Sequence, residues 1–414
     1  MKHYSYNPYQ NFKTFDSVLE KITGNFIEDF TVFTDWCIEY CRVEENFRKS
    51  KGYPPEPYGL TVKKGQAESN TFDLKVYVQN YINASKDKWL WLYKSLQDQE
   101  SKKTLINVLA YRCLGWRYVP MPMDDLKTWA IMQELDKAAE KTDSKEKFFV
   151  GFYEMVLSPF EVDLVDERLN LLATGGCIFS EVLYSQYVYN GKNISFSPKN
   201  GDVVIDCGAC FGATSLYFAS QVGQTGKVYS FEFFPSNIEV FMRNLSKNSW
   251  LCERIQLIKS PVWSEANVQM EVRGVGPAAK VSIINFKSRF IRFWKKTFNT
   301  VAIFFSTKTK KKYSQSHRFL VDTTSIDCEY KNFSMASVDF IKMDIEGAEL
   351  SALKGAKGTI IKHKPTLAIC VYHRLEDFYE IPEFLSGLNL GYKFYLQHAT
   401  VHGDETVLFA CAQS

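Results

Sequence analysis

One stretch, Gly201 to Gly212 (GDVVIDCGACFG), limits the folds open to this chain more than any other. It starts with an apolar run, Val203-Val204-Ile205, with the length and composition of a buried parallel strand. The run ends on Asp206, glycines follow at Gly208 and Gly212, and ATSLYFAS then reads as the first turns of a helix. A strand, a tight glycine turn and a helix N-terminus in that order present backbone N–H groups to a ligand. They do so at the carboxyl ends of the strands of an α/β sheet.

The glycine spacing narrows the ligand. A dinucleotide-binding turn carries G-x-G-x-x-G, and a phosphate cradle ends in Lys-Ser/Thr. Here the pattern is D-x-G-x-x-x-G, with neither feature, so a nicotinamide dehydrogenase is excluded. A neutral turn behind a carboxylate suits a ligand with an amino group and no phosphates, and S-adenosylmethionine (SAM) meets that description. The expected contacts on the turn are Asp206, Gly208, Ala209, Phe211 and Gly212. A second strand, Lys227 to Glu232, ends on an acid about twenty residues past Gly212, the usual offset for a carboxylate that binds ribose hydroxyls. Phe233, Asn237 and Val262 extend the expected cofactor site. Glu232 also stands where it would cap the helix beginning at Pro235 and Ser236, so sequence alone leaves both roles open.

At 414 residues the chain has the length for two domains. A net charge of +3 gives no footprint of nucleic-acid binding, while 15% aromatic residues suit stacking on sugars or aromatic-rich helices. The first residues, MKHYSYNPYQNF, lack the apolar core of an export signal, and no apolar run is long enough to span a bilayer. Ten cysteines without a framework then point to reduced thiols in the cytoplasm. Cys207 and Cys210 form a CxxC inside the glycine turn, but no second pair completes a zinc site. Cys37 and Cys41, one helical turn apart, are expected on a buried helical face.

Apolar and aromatic residues recur at helical spacing through residues 1 to about 50 (Phe26, Phe30, Phe33, Trp36, Cys37, Tyr40), Asn70–Gly115 and Asp125–Phe160, with KGYPPEPYG (51–59) as a linker. Residues 1–160 are therefore expected to form a mostly helical N-terminal domain. Gln186 and Tyr187 either line the cofactor entrance or pack. Residues 161–414 hold alternating strands and helices, the pattern of an α/β, doubly wound, mostly parallel sheet. Further strands are expected at Arg254–Ile258, Val338–Asp344 and Thr366–Tyr372. Tyr392–Leu396 and Thr406–Ala412 are joined by a short loop and so antiparallel. A seven-stranded sheet closed by an antiparallel hairpin is the mark of class I methyltransferases.

The segments VVIDCGACFGATS, FEFFPSN, TTSIDCE, DFIKMDIEGAE, YHRLEDFYEIP and ETVLFA, in that order, resemble the FkbM family of SAM-dependent methyltransferases. The resemblance covers roughly residues 180–414, with a weaker echo in LYKSLQDQESKKTLINVLAYR. It implies O-methylation, commonly of sugars, polysaccharides or natural products. The sequence departs from the family at Cys210, where Asn is frequent, and in a long basic excursion before TTSID.

Methyl transfer from a sulfonium needs an in-line nucleophile at about 3 Å and a group to take its proton. Strand four leads into Asp344-Ile345-Glu346-Gly347 and strand five into Tyr372-His373-Arg374, so Asp344, Glu346 and His373 are the catalytic candidates. Each has a plainer reading. Glu346 and Glu349 complement a helix N-terminus, Asp344 holds a turn, and His373 is a core histidine. A divalent ion is compatible with the three, but no metal is predicted. The rival class is a non-catalytic SAM-binding or interaction module in a glycan-assembly complex. The full set of Asp206, Glu232, Asp344 and Glu346 argues against it.

The excursion carries no acid from Val272 to Val321, while Lys287, Arg289, Arg292, Lys308, Lys310, Lys311 and Lys312 are basic. Phe286, Phe290, Phe293 and Trp294 fall near helical spacing. Such a helix meets an anionic membrane surface or closes over an acidic or lipid-linked glycan acceptor. The plainer reading packs the aromatics inside and leaves the lysines solvated. The expected location is the cytoplasm, with peripheral contact at the inner membrane face as its extension.

Overall fold

The run after Gly201 forms the strand Val203–Cys207, in which every residue after the first is buried, as a central parallel strand requires. The structure, a computed structural model, describes residues 23–40, 71–141, 146–150, 153–164, 167–273, 280–283 and 318–412. Helices α1 (Phe26–Tyr40), α2 (Thr71–Asn83), α3 (Lys86–Ser95), α4 (Gln99–Leu114) and α5 (Leu126–Lys141) come first. Strands β1 (Glu146–Val150), β2 (Tyr153–Asp163) and β3 (Arg168–Ala173) form an antiparallel sheet, and β4 (Tyr189–Asn190) pairs with β5 (Ser195–Phe196).

The main alternation then runs β6 (Val203–Cys207), α6 (Ala213–Gln221), β7 (Lys227–Phe231), α7 (Pro235–Lys247) and β8 (Ile255–Ile258). After β9 (Gln269–Arg273), β10 (Lys280–Ile283) and β11 (Arg318–Asp322) come α8 (Ile326–Asn332), β12 (Phe340–Met343), α9 (Glu349–Lys354) and α10 (Lys357–His363). The chain closes with β13 (Thr366–Cys370), α11 (Asp377–Ser386), β14 (Tyr392–His398) and β15 (Thr406–Ala412). The seven-stranded sheet has the order β14-β15-β13-β12-β6-β7-β8. Its pairs from β13 to β8 are parallel, and β15 runs antiparallel to β13 and β14. The strand order reverses between β6 and β12, which opens a crevice at their carboxyl ends. This is the methyltransferase sheet expected from the sequence.

Side chains alternate between two cores, because successive strand residues point to opposite faces. Ile205, Phe231, Met343, Ile369 and Leu408 pack on one face, and Val204, Val228, Phe340, Ala368 and Phe409 on the other. Helices α1–α4 belong to the first of these cores rather than to one of their own, while Trp129 of α5 joins Met123, Phe179 and Val401 in a separate small cluster. Trp89 meets Phe378 and Tyr379 edge-on, with ring centroids 6.3 and 5.1 Å apart. Ser101 Oγ accepts the Leu396 N–H at 2.8 Å, and the Gln97 N–H donates to the Phe394 carbonyl at 3.0 Å. These bonds cover β14, the sheet's edge strand.

One expectation is corrected. Helix ends at Lys141, and β1 and most of β2 occupy the stretch read as helical to Phe160. The excursion after Pro261 opens and closes as a small antiparallel sheet of order β10-β9-β11. The linker 51–59, Cys41 and the basic stretch 284–317 lie outside the described residues. Among the described residues no helix is long and apolar enough to cross a membrane.

Candidate active site

The glycine turn is built by close approach. Gly208 has φ +85, and a Cβ there would meet the Asp344 carbonyl oxygen at 1.9 Å, so β6 and β12 pack too tightly for any side chain. Cys210 also adopts a left-handed φ of 46. The turn opens onto a cavity of about 640 Å³ at the crevice, a volume suited to a cofactor-sized ligand.

The expected cofactor residues divide into two groups. Gly208, Glu232, Phe233, Asn237 and Val262 line the cavity. Asp206, Ala209, Phe211 and Gly212 lie behind it. Asp206 is fully buried, pairs with Lys342 Nζ at 3.0 Å and accepts from Ser215 Oγ at 2.6 Å. Ala209 gives its N–H to the Phe231 carbonyl, and Phe211 packs with Leu157, Leu172 and Val240. A Cβ at Gly212 would meet the Phe241 ring at 2.7 Å, so that glycine serves helix packing.

Glu232 combines both roles left open by the sequence. Its Oε1 accepts the Phe233 and Phe234 N–H groups at 2.7 and 2.8 Å, and Oε2 accepts Asn237 Nδ2 at 3.1 Å. Burial raises its pKa, against these hydrogen bonds. Each carboxylate oxygen offers more than one lone pair, so the cap leaves acceptor capacity toward the cavity. Asn237 Oδ1 is buried on the same wall without a hydrogen-bond partner. A buried orphan acceptor beside a carboxylate is what a bound nucleoside would satisfy, so these residues fit SAM.

The other end of the cavity is acidic. Asp344, Glu346 and Glu405 line it with Tyr187 and Tyr372. Tyr187 donates to Asp344 Oδ2 at 2.8 Å, and the Tyr372 hydroxyl lies 3.1 Å from Asp344 Oδ1 and 3.3 Å from Glu405 Oε1. Burial raises both phenols well above their ordinary pKa, so they stay protonated donors and hold Asp344 from both sides. Burial, with Asp344 next, also raises Glu405. Gln186, read with Tyr187 from the sequence, donates to Glu405 Oε2 at 3.0 Å.

His373 sits off the cavity wall, behind the carboxylates. Its Nε2 lies 3.4 Å from Asp344 and 3.6 Å from Glu346, and its Nδ1 lies 3.0 Å from Glu349. Burial works to lower its pKa, but Glu349, then Asp344 and Glu346, reverse this and hold it at about 9. The catalytic candidates are thus brought together, with Asp344 and Glu346 facing the cavity and His373 supporting them.

Lys342 was missed. It pairs in register with Asp206 across β12 and β6, donates to the Gly208 carbonyl at 2.8 Å, and lies 4.9 Å from the Tyr187 ring centre. A lysine inside FIKMD, between buried apolar neighbours, signals a buried acid on the next strand. Glu181 and Glu405 also face the cavity, and no local motif announces them.

A doubly wound sheet closed by this hairpin, with a nucleoside-binding wall facing an acidic one, defines a SAM-dependent methyltransferase. Residues 206–394 match the family model described as the methyltransferase FkbM domain. No curated protein matches the chain. Among solved structures it is similar to methyltransferase FkbM from Methylobacillus flagellatus KT, at 18% identity, 90% of this chain, 72% of that chain and TM-score 0.47. It is also similar to Aeropyrum pernix fibrillarin with natively bound SAM, at 12% identity, 64% and 99% coverage and TM-score 0.31. A SAM-dependent methyltransferase from Aquifex aeolicus matches at 14% identity, 57% and 93% coverage and TM-score 0.29.

Proposed function

We propose that this enzyme transfers a methyl group from SAM to a hydroxyl of a sugar or glycan acceptor. The observation that carries the reading is one cavity with Glu232 and Asn237 on one wall and Asp344 and Glu346 at the other end. Bound SAM supplies a methyl group on a positively charged sulfur. The protein's part is to hold the acceptor oxygen in line and to receive its proton. Asp344 is fixed by two phenolic O–H donors, so it offers a rigid acceptor for a substrate hydroxyl. Glu346, on the same wall, takes the proton as the new C–O bond forms. Paired carboxylates suit vicinal sugar hydroxyls, which donate hydrogen bonds to both. The inner-face location and the basic excursion's contact with an anionic or lipid-linked glycan extend the same proposal.

The test is isotope-labelled methyl transfer from SAM to a panel of glycans and hydroxylated small molecules, read by mass spectrometry. Asp344→Asn is expected to lower turnover by roughly 10²–10⁴ with SAM affinity kept, the usual worth of a positioned acid–base group. Wild-type turnover in that variant would remove Asp344 from the chemistry.

A further inference from the structure

Beneath the acidic end of the cavity, Asp344 joins a cluster whose other members, Glu349 and His373, have no part in the transfer reaction. One oxygen each from Asp344 and Glu349 and a ring nitrogen of His373 all lie within 4.8 Å of one another. The cluster is also unsatisfied. Glu349 is fully buried, and its Oε2 has no hydrogen-bond partner. The His373 side chain is 9% exposed; its Nδ1 meets Glu349 Oε1 at 3.0 Å, while Nε2, 3.4 Å or more from Asp344 and Glu346, makes no hydrogen bond. The buried Asp377, the start of α11, also makes no side-chain hydrogen bond, and its ion pair with Arg374 is long, at 3.8 Å. Buried polar atoms in native proteins nearly always have partners, and a group of orphans in one place marks a missing ion or water.

The geometry points to a divalent-cation site formed by Asp344, Glu349 and His373, with Glu346 beside it. Two carboxylates and one imidazole suit a hard or borderline ion such as Mg²⁺ or Mn²⁺. Three protein ligands leave coordination positions for solvent or substrate, and Asp344 and Glu346 connect the site to the cavity. The ion would take an acceptor oxygen as a further ligand and ease its loss of a proton to Glu346. That oxygen then gains the methyl group as the methyl–sulfur bond breaks. The inference rests on the transfer reading for its role but not for its existence, which binding alone can test.

The experiment uses the full-length chain, stripped with a chelator and dialysed. Mn²⁺ is titrated and the free ion read by electron paramagnetic resonance, while SAM binding is measured calorimetrically on the same sample. The expected result is one saturable Mn²⁺ per chain, with SAM binding intact in the stripped protein. Affinity for Mn²⁺ should fall at least about tenfold in Glu349→Gln and in Asp344→Asn. His373→Gln replaces Glu349→Gln if circular dichroism shows that the latter does not fold. A chain that binds SAM but no Mn²⁺, or variants that bind Mn²⁺ as tightly as wild type, would overturn the site and leave the transfer reading standing. A folded chain that binds Mn²⁺ but not SAM would support the site and count against the transfer reading.

Discussion

At the scale of single residues, the site depends on groups with two duties. Glu232 caps α7 and faces the cavity, so Glu232→Gln is expected to weaken SAM binding by roughly 10–100-fold, the worth of charge-assisted hydrogen bonds. A change in melting temperature with unchanged SAM affinity would reduce Glu232 to a cap. Gly212 separates less cleanly. Any side chain there strikes Phe241, so Gly212→Asp disturbs packing before it reaches a ligand. Lys342 and Asp206 are both buried and paired. Lys342→Met alone should cost about 3–5 kcal/mol, because it strands a buried carboxylate, and adding Asp206→Asn should recover most of that loss in urea unfolding. A double variant no more stable than the single one would show that the pair is not a unit. The carboxylates at the ends of β12 and the histidine after β13 were legible, since strand ends announce themselves in local sequence. The Lys342–Asp206 and Tyr187–Asp344 contacts were not, because they join residues far apart along the chain.

At the scale of elements, the parallel strands were legible as short apolar runs between glycine turns and amphipathic helices. Strands β1 and β2 were not. The apolar runs in EKFFV and YEMVLSPFEVD fit a buried helix or a strand, and pairing on both sides of β2 decides the outcome. Strand β14 carries a pH prediction. Burial, with His402 adding, lowers His398 from the ordinary 6.5 to about 3, and its Nδ1 lies 2.9 Å from Thr406 Oγ1. The unfolded chain takes up a proton below pH 6.5, while the folded one does so only near pH 3. Stability is therefore whole above that window and falls as pH drops through it, by up to roughly 1.4 kcal/mol per pH unit. Urea midpoints for wild type and His398→Gln, compared at about pH 7.5 and about pH 5, should show a smaller acid loss in the variant. Equal losses would place the acid sensitivity elsewhere.

At the scale of the molecule, helices α1–α4 and the methyltransferase sheet share one apolar core from Phe26 to Ala410. Arg112 of α4 also donates to the Tyr372 carbonyl at 2.9 Å, just before His373. Residues 161–414 expressed alone should therefore lack a cooperative thermal transition, because removing α1–α4 exposes the face holding Phe378, Tyr379 and Phe394. A sharp melt for that fragment would instead establish two independent domains. The central claim is that the cavity beside Gly208 holds SAM through Glu232 and Asn237. Calorimetric titration of the full-length chain with SAM tests it most directly. The prediction is one site per chain, displaced by S-adenosylhomocysteine and weakened at least about tenfold in a folded Asn237→Ala variant, which removes the orphan acceptor. A folded wild-type chain that takes up no SAM at millimolar concentration, or an Asn237→Ala variant that binds it unchanged, would contradict that claim.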